Sequence, residues 1–290
     1  MALKPAGVRH QQGMLPLRDV TLSYNAIVPE KPRAVLIVVH GLSEHCGRYL
    51  KLQKEFSEAG FASWAYDQRG FGQSTGDRTY VADYNDFLSD LKHVVAIARQ
   101  AYPILPLMII GHSLGGLVAA AFCAKNPDEV NGLILSAPAY DVFPLSRMLR
   151  FFAIALNRLC PKRLIRYPST GETLSHDAEV VRAFRADPLV QSAGTPRFYH
   201  EFFKMNRYLH RHAHQIKLPT LILQGTGDVT VFPEGAQRLH DAIGSKKKRL
   251  IFYDKFYHEP FNEIGRERVL SDMLGWLNPL IGDMAEGKKI

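Results

Sequence analysis

Runs of Val, Ile, Leu and aromatic residues bounded by Gly and Pro alternate along this chain with longer segments whose apolar residues recur three and four positions apart. The first pattern is that of strands and the second that of amphipathic helices, so their alternation predicts β-α-β units building a parallel sheet. Strands are predicted in an early pair over Gln12–Tyr24, then at Ala34–Val39, Ala62–Tyr66, Leu107–Ile110, Gly132–Ser136, Thr220–Leu223 and Arg249–Tyr253. The later ones are continuous apolar runs, as strands covered on both faces should be. Helices are predicted at Arg48–Ala59, Asp86–Tyr102, Leu114–Lys125, Glu234–Ile243 and Arg266–Asn278. The expected class is α/β, with a mostly parallel, doubly covered sheet.

Residues 141–216 break this rhythm, with helical patterning and no convincing buried strand. The expected organisation is a core of residues 1–140 and 217–290 with a helical cap inserted at 141–216. Twelve basic and six acidic residues fall in the insertion, so six of the eight net positive charges are concentrated there. A helix over Leu145–Leu159 would carry Leu145, Met148, Leu149, Phe152, Leu156 and Leu159 on one face and Arg147, Arg150 and Arg158 on the other. Such a helix could lie on a lipid surface with its arginines toward phosphates, or pack on the domain below it.

Composition narrows the classes. With 46% apolar and 22% charged residues over 290 positions, the chain can bury a large core and is neither disordered, collagen-like nor an integral membrane protein. Its most apolar run, Phe143–Leu159, is broken by three arginines and falls short of the roughly 18 to 20 apolar residues of a span. The polar amino terminus, with Pro5 and Gly7, lacks the apolar run of a secretory signal. A cytoplasmic location is expected, with peripheral contact to anionic membrane through the basic cap. Cys46, Cys123 and Cys160 form an odd set without a CxxC pair, which argues against a disulfide framework or a cysteine-built zinc site. The charge of +8 raises nucleic acid as a partner, but no recognition motif accompanies it and the charge lies on an apolar segment, so none is expected. The SKKKR run at 245–249 is too short for a tail and is expected to end a solvated loop.

The candidate chemistry begins at Gly111-His112-Ser113-Leu114-Gly115, a GxSxG placed directly after a predicted strand and directly before a predicted helix. That layout lifts a serine hydroxyl above the sheet edge on a cramped turn, with glycines leaving room for close backbone contacts. A serine needs a base to take its proton and a carboxylate to orient that base. In this architecture the acid and then the histidine follow the serine, each just past a later strand. Asp228, after TLILQGTG, is the candidate acid; Asp241 lies within a helical pattern and Asp254 leaves little chain before the histidine. His258 follows the last strand and precedes the final helix, which selects it among twelve histidines. His112 is set aside because adjacent side chains diverge. His210, His212 and His214 alternate in a basic stretch without a carboxylate cluster or HExxH, so no metal site is expected there. Two backbone N–H groups must also receive the developing oxyanion. The amide of Leu114 follows the nucleophile, and that of Leu42 lies in the loop after the strand ending at Val39.

From about residue 14 to 278 the chain resembles the α/β-hydrolase superfamily, and within it the monoacylglycerol lipase and lysophospholipase branch also labelled serine aminopeptidase-like. The resemblance rests on HGLSEHCGRY at 40–49, DQRGFGQSTG at 67–76, GHSLGG at 111–116, the GTGD ending at Asp228 and HEPFNE at 258–263. It implies that Glu44 and Arg48 shape the polar end of the pocket that receives glycerol. Leu42, Phe71 and Leu114 depart from residues common in the branch, and the Leu42 side chain could narrow the pocket. The function implied is a serine hydrolase cleaving esters of single-chain lipids through an acyl-enzyme. An esterase or peptidase on small soluble acyl substrates, or a non-catalytic binding module of the same fold, are the alternatives. No metal or organic cofactor is implied, because the triad and two amides complete the machinery.

Overall fold

The structure, a computed structural model, describes residues 7–141, 147–167 and 171–288, with the side chains of 147–152 left out of the description. Among the described residues, ten strands and eight α-helices follow one another in chain order, alternating after an opening run of three strands. They are β1 (Arg9–Pro16), β2 (Thr21–Val28), β3 (Ala34–Val39), α1 (Leu50–Glu58), β4 (Phe61–Tyr66), α2 (Asn85–Ala101), β5 (Leu107–His112), α3 (Leu114–Lys125) and β6 (Gly132–Ser136). Then come α4 (Arg147–Leu159), β7 (Ile165–Arg166), α5 (Ala178–Ala186), β8 (Ala193–Gly194), α6 (Pro196–His212), β9 (Thr220–Gly225), α7 (Pro233–Ala242), β10 (Lys248–Tyr253) and α8 (Glu267–Ala285).

Eight strands form one sheet in the order β1-β2-β4-β3-β5-β6-β9-β10. From β4 to β10 the neighbours are parallel, whereas β1 and β2 run antiparallel to each other and β2 runs antiparallel to β4. The early pair is longer than predicted because Ala26, Ile27 and Val28 continue the buried face beyond Tyr24. All six residues of β3, the AVLIVV run, are buried, as a strand between two helical layers requires. The chain steps from β3 to β4 on one side and later to β5 on the other, and such a reversal opens a crevice at the carboxyl ends of the strands.

Two apolar layers flank the sheet. One gathers α2, α3 and α6 against one face; the other gathers α1 and α8 against the opposite face. Residues 114–124 of α3 are buried all round, because α3 lies between the sheet and α6, which contributes Phe198, Phe202, Met205 and Leu209 to the same cluster. So α6, though within 141–216, is packed into the core's own apolar layer. Helix α8 continues past Pro279 to Ala285, seven residues beyond the predicted end. Proline removes one backbone bond, but burial of Leu280 and Ile281 offsets that loss. The two-residue pairing of β7 with β8 is too short to leave a periodic pattern. The SKKKR run leads into β10, which starts at Lys248, one residue earlier than predicted, and Lys248 Nζ donates to the carbonyls of His240 and Ile243 at the end of α7. Among the described residues no helix is long and apolar enough to cross a membrane.

Candidate active site

Ser113 occupies the turn between β5 and α3 with φ 53° and ψ −115°, a region that costs a non-glycine residue about 1–3 kcal/mol. Its amide donates to Ser136 O at 2.9 Å, and its carbonyl accepts from Ala139 N at 3.0 Å and Leu117 N at 3.1 Å, so neighbouring elements over-determine the conformation. The flanking glycines are there for space: a Cβ at Gly111 would overlap the Gly115 carbonyl, and one at Gly115 would overlap the Val39 carbonyl oxygen. The GxSxG spacing therefore records how closely α3 approaches β3.

The two later loops bring the predicted partners to this hydroxyl. His258 Nε2 lies 2.9 Å from Ser113 Oγ, and His258 Nδ1 lies 2.8 Å from Asp228 Oδ2. All three residues are buried. Asp228 leaves β9 through Gly225 and Gly227; a Cβ at Gly225 would overlap the Phe256 carbonyl, so the loops of the acid and the histidine touch backbone to backbone. Its other oxygen accepts from the amides of Thr230 at 2.8 Å and Val231 at 3.0 Å, and Gln224 Nε2 donates to Oδ2 at 3.1 Å. Burial pushes the Asp228 carboxyl up, but His258 and these amides outweigh it and hold the acid ionised below the usual range. Burial likewise disfavours charge on His258, and the Asp228 carboxylate reverses that, leaving the imidazole pKa above its ordinary value. Asp241 is engaged instead by Gln237 and His240 on α7, and Asp254 by Thr226.

Leu42 and Leu114 line the cavity at Ser113 together with Gly41 and Ala139. Leu114 is the first residue of α3, whose opening amides have no partner within the helix and carry its positive dipole end. The Leu42 loop is pinned by Gly41 N donating to Glu44 Oε1 at 2.5 Å, and its other contacts reach into the segment after β6: Ser43 Oγ lies 2.8 Å from Tyr167 OH, and Ser43 O accepts from Gln191 N at 3.1 Å. The cavity holds about 330 Å³ and draws its walls from both sides, including Tyr167, Leu174, Phe184 and Phe202. That is the low end of the range for small-molecule sites.

A sharp turn, a buried serine-histidine-aspartate chain and a small cavity over them invite comparison with known hydrolases. The profile of the family described as serine aminopeptidase, S33, matches residues 30–265. The chain belongs to this S33 hydrolase family. Among its relatives, the monoacylglycerol lipase of Mycolicibacterium smegmatis is 31% identical over 94% of this chain and 98% of its own length. The monoglyceride lipase of Rattus norvegicus is 31% identical over 85% of this chain and 83% of its own. The crystal structure of Paleococcus ferrophilus monoacylglycerol lipase superposes with a TM-score of 0.81 at 28% identity, covering 90% of this chain and 98% of that one. The α/β-hydrolase fold expected from the sequence is the fold of this S33 family member.

The polar end of the S33 cavity is built on charge. Glu44 and Arg48 both line it, and Arg48 Nη1 donates to Glu44 Oε2 at 2.8 Å. The structure adds Glu259, which sequence reasoning left unassigned although it adjoins His258 in HEPFNE. Arg48 meets the Glu259 carboxylate through two bonds, at 2.6 and 2.7 Å, and lies over the Phe184 ring at 5.0 Å. Burial raises the Glu44 carboxyl, but Arg48, the rings of His112 and His40 and the Tyr49 hydroxyl outweigh it and bring its pKa down to about 2. His112 also belongs to the site: its ring lies 4.9 Å from that of His258, and burial together with that neighbour lowers its pKa to about 4, so it is neutral.

The alternating histidines of α6 do not converge. His210 stacks on Tyr140 at 3.9 Å and His212 on Tyr208 at 4.2 Å. Among the described residues no group of three or more His, Cys, Asp or Glu could hold a metal ion.

Proposed function

We propose that this chain hydrolyses carboxylic esters of single-chain lipids, monoacylglycerols foremost, with Ser113 as nucleophile, His258 as general base and acid, and Asp228 as the group that orients it. The observation that carries the reading is the unbroken buried chain from Ser113 Oγ through His258 to Asp228 at 2.9 and 2.8 Å, beneath a cavity with apolar walls. The names of the S33 relatives supply the substrate class.

In this scheme Ser113 Oγ attacks the ester carbonyl carbon while its proton passes to His258 Nε2; Nδ1–H donates throughout to Asp228. The oxyanion is received by the amides of Leu42 and Leu114, each of which can be worth roughly 3–4 kcal/mol in the transition state. Collapse breaks the bond to the alcohol, which leaves with the proton from Nε2. Water then attacks the acyl-serine, its proton goes to Nε2 and returns to Ser113, and the fatty acid departs. Glu44 and Arg48 form the polar end that receives the alcohol part. No step requires a metal or an organic cofactor.

Residues 141–216 act in this reading as a cap over the core formed by 1–140 and 217–290. Supporting it, Tyr167, Leu174, Phe184 and Phe202 help enclose the cavity. Thr173 O and Leu174 O also accept from the amides of His258 and Glu259 at 3.3 and 2.8 Å. The cap also provides the membrane contact. Ile154, Leu156, Leu159, Leu164 and Ile165 are exposed, with Leu159 at 83%, and Arg158, Arg163 and Arg166 are exposed beside them. Leu145, Met148, Leu149 and Phe152 of the expected apolar face, with Arg147 and Arg150, lie outside the described residues or side chains.

The test is fatty-acid release from a monoacylglycerol by the purified protein, with Ser113→Ala as control. Release by the parent and none by the variant is the expected result. Turnover of small soluble esters without turnover of monoacylglycerols would replace the lipid reading with a carboxylesterase.

A further inference from the structure

The outside of the cap segment is basic and the inside of the cavity is acidic. Among the described residues that line the cavity, the cation Arg48 faces two carboxylates, Glu44 and Glu259. Their side chains are 4% and 5% exposed, and that of Arg48 is 11% exposed. Three N–H groups of the guanidinium are spent on carboxylate oxygens, Nη1 on Glu44 and Glu259 and Nη2 on Glu259, and Phe184 covers its face. The cluster thus carries one net negative charge behind little water, lining the same cavity as His258, the residue that precedes Glu259 and that hydrogen-bonds Asp228. The neutral His112 does not offset that charge.

We propose that Glu44, Arg48 and Glu259 form a charge filter for the alcohol part of the ester, with Glu259 setting its sign: uncharged hydroxyl-bearing alcohols are accepted and phosphate-bearing ones rejected. The inference rests on the lipid-ester reading above and refines its substrate class. Carboxylate oxygens accept hydrogen bonds from a polyol's hydroxyls, so a glycerol-like alcohol is held without a further cation. A phosphate entering the same space meets two buried carboxylates and a guanidinium already committed to them; like charges brought together without water disfavour binding strongly. The basic cap attracts anionic surfaces from outside, so attraction to the interface and admission to the cavity have opposite charge preferences.

The experiment compares two soluble esters of one acyl chain, hexanoyl glycerol and hexanoyl glycerol 3-phosphate, below the concentrations at which they self-associate, so that surface attraction does not enter. It is run above the second phosphate ionisation, which lies near about pH 6. The expected kcat/KM is higher for the neutral ester by about tenfold or more, and Glu259→Gln, which removes the excess charge and keeps a hydrogen bond to Arg48, narrows that ratio several-fold. Equal kcat/KM for the two esters in the parent protein overturns the filter, whether or not the variant folds. An unchanged ratio in a variant that still reacts with a fluorophosphonate at Ser113 also overturns it. If the parent cleaves neither ester, the lipid-ester reading itself has failed, and that result is distinct from cleavage of both alike.

Discussion

The amide of Tyr257 donates to the Glu263 carboxylate at 3.1 Å, immediately ahead of His258. The same carboxylate accepts from Ile264 N, from the amide and ring Nδ1 of His176, and from Ser175 Oγ, so one buried acid ties the histidine loop to the segment after β6. Burial raises its carboxyl, but these amides outweigh it and keep it ionised below the usual range. Glu263→Ala leaves several buried donors unpaired, at about 1–3 kcal/mol each. The variant should lose about 3 kcal/mol of stability and show a lower kcat, read by denaturant titration and by saturation kinetics on a soluble ester. Wild-type values for both would show that the carboxylate is dispensable.

Ser113→Ala should lower kcat by on the order of 10⁶-fold while the fold persists. The measurement is ester turnover beside circular dichroism. Residual turnover near the parent rate would remove Ser113 from the mechanism.

The pH profile follows from the sign of the histidine shift. The unperturbed imidazole titrates near about 6.5, and the sequence by itself predicts an acid limb around pH 6 to 7. The Asp228 carboxylate raises the pKa of His258, so protonation, which removes the base, sets in at higher pH and the acid limb of kcat/KM should move up from the ordinary value. Asp228→Asn removes that charge, so its acid limb should lie lower than the parent's while its rate falls. Coincident limbs in the two proteins would count against the Asp228–His258 coupling.

Gly115→Ala places a methyl group against the backbone carbonyls of Val39 and His40. Backbone cannot yield as a side-chain end does, and overpacking of this kind costs about 1–3 kcal/mol or more. A lowered denaturation midpoint is expected, and an unshifted midpoint would mean that α3 is free to move away from β3.

Leu159→Asp puts a charge at a leucine of α4 that is 83% exposed. Co-sedimentation with vesicles containing anionic lipid should weaken, while hydrolysis of a soluble short-chain ester should not change. Undiminished binding to vesicles would assign membrane contact to another surface.

Much of the architecture was legible because its determinants are local. Continuous apolar runs mark strands buried on both faces, and GxSxG between a strand and a helix marks a turn that only glycine-flanked backbone can make. The order of serine, acid and histidine needed only the positions of the later strands. What sequence patterns did not reveal depends on distant contacts. Glu259 and Glu263 stand in the quoted HEPFNE run, yet their partners Arg48 and His176 lie 211 and 87 residues away. The divergence of adjacent side chains argues against a role for His112 beside Ser113, but the ring of His258 comes to 4.9 Å from its own. The extension of α8 through Pro279 was hidden because local propensity ends a helix there while the buried Leu280 and Ile281 sustain it.

The sequence by itself marked the order of most elements, the tight turn at Ser113 and the two candidates, Asp228 and His258, that the fold brings to it, because each is flagged by residue types within a few positions of its own strand end. Only the tertiary structure decided that the cavity's polar end is net acidic and that one carboxylate binds the histidine loop to the segment above it. Charge balance and burial are properties of groups brought together across the fold, and no short stretch of chain contains them.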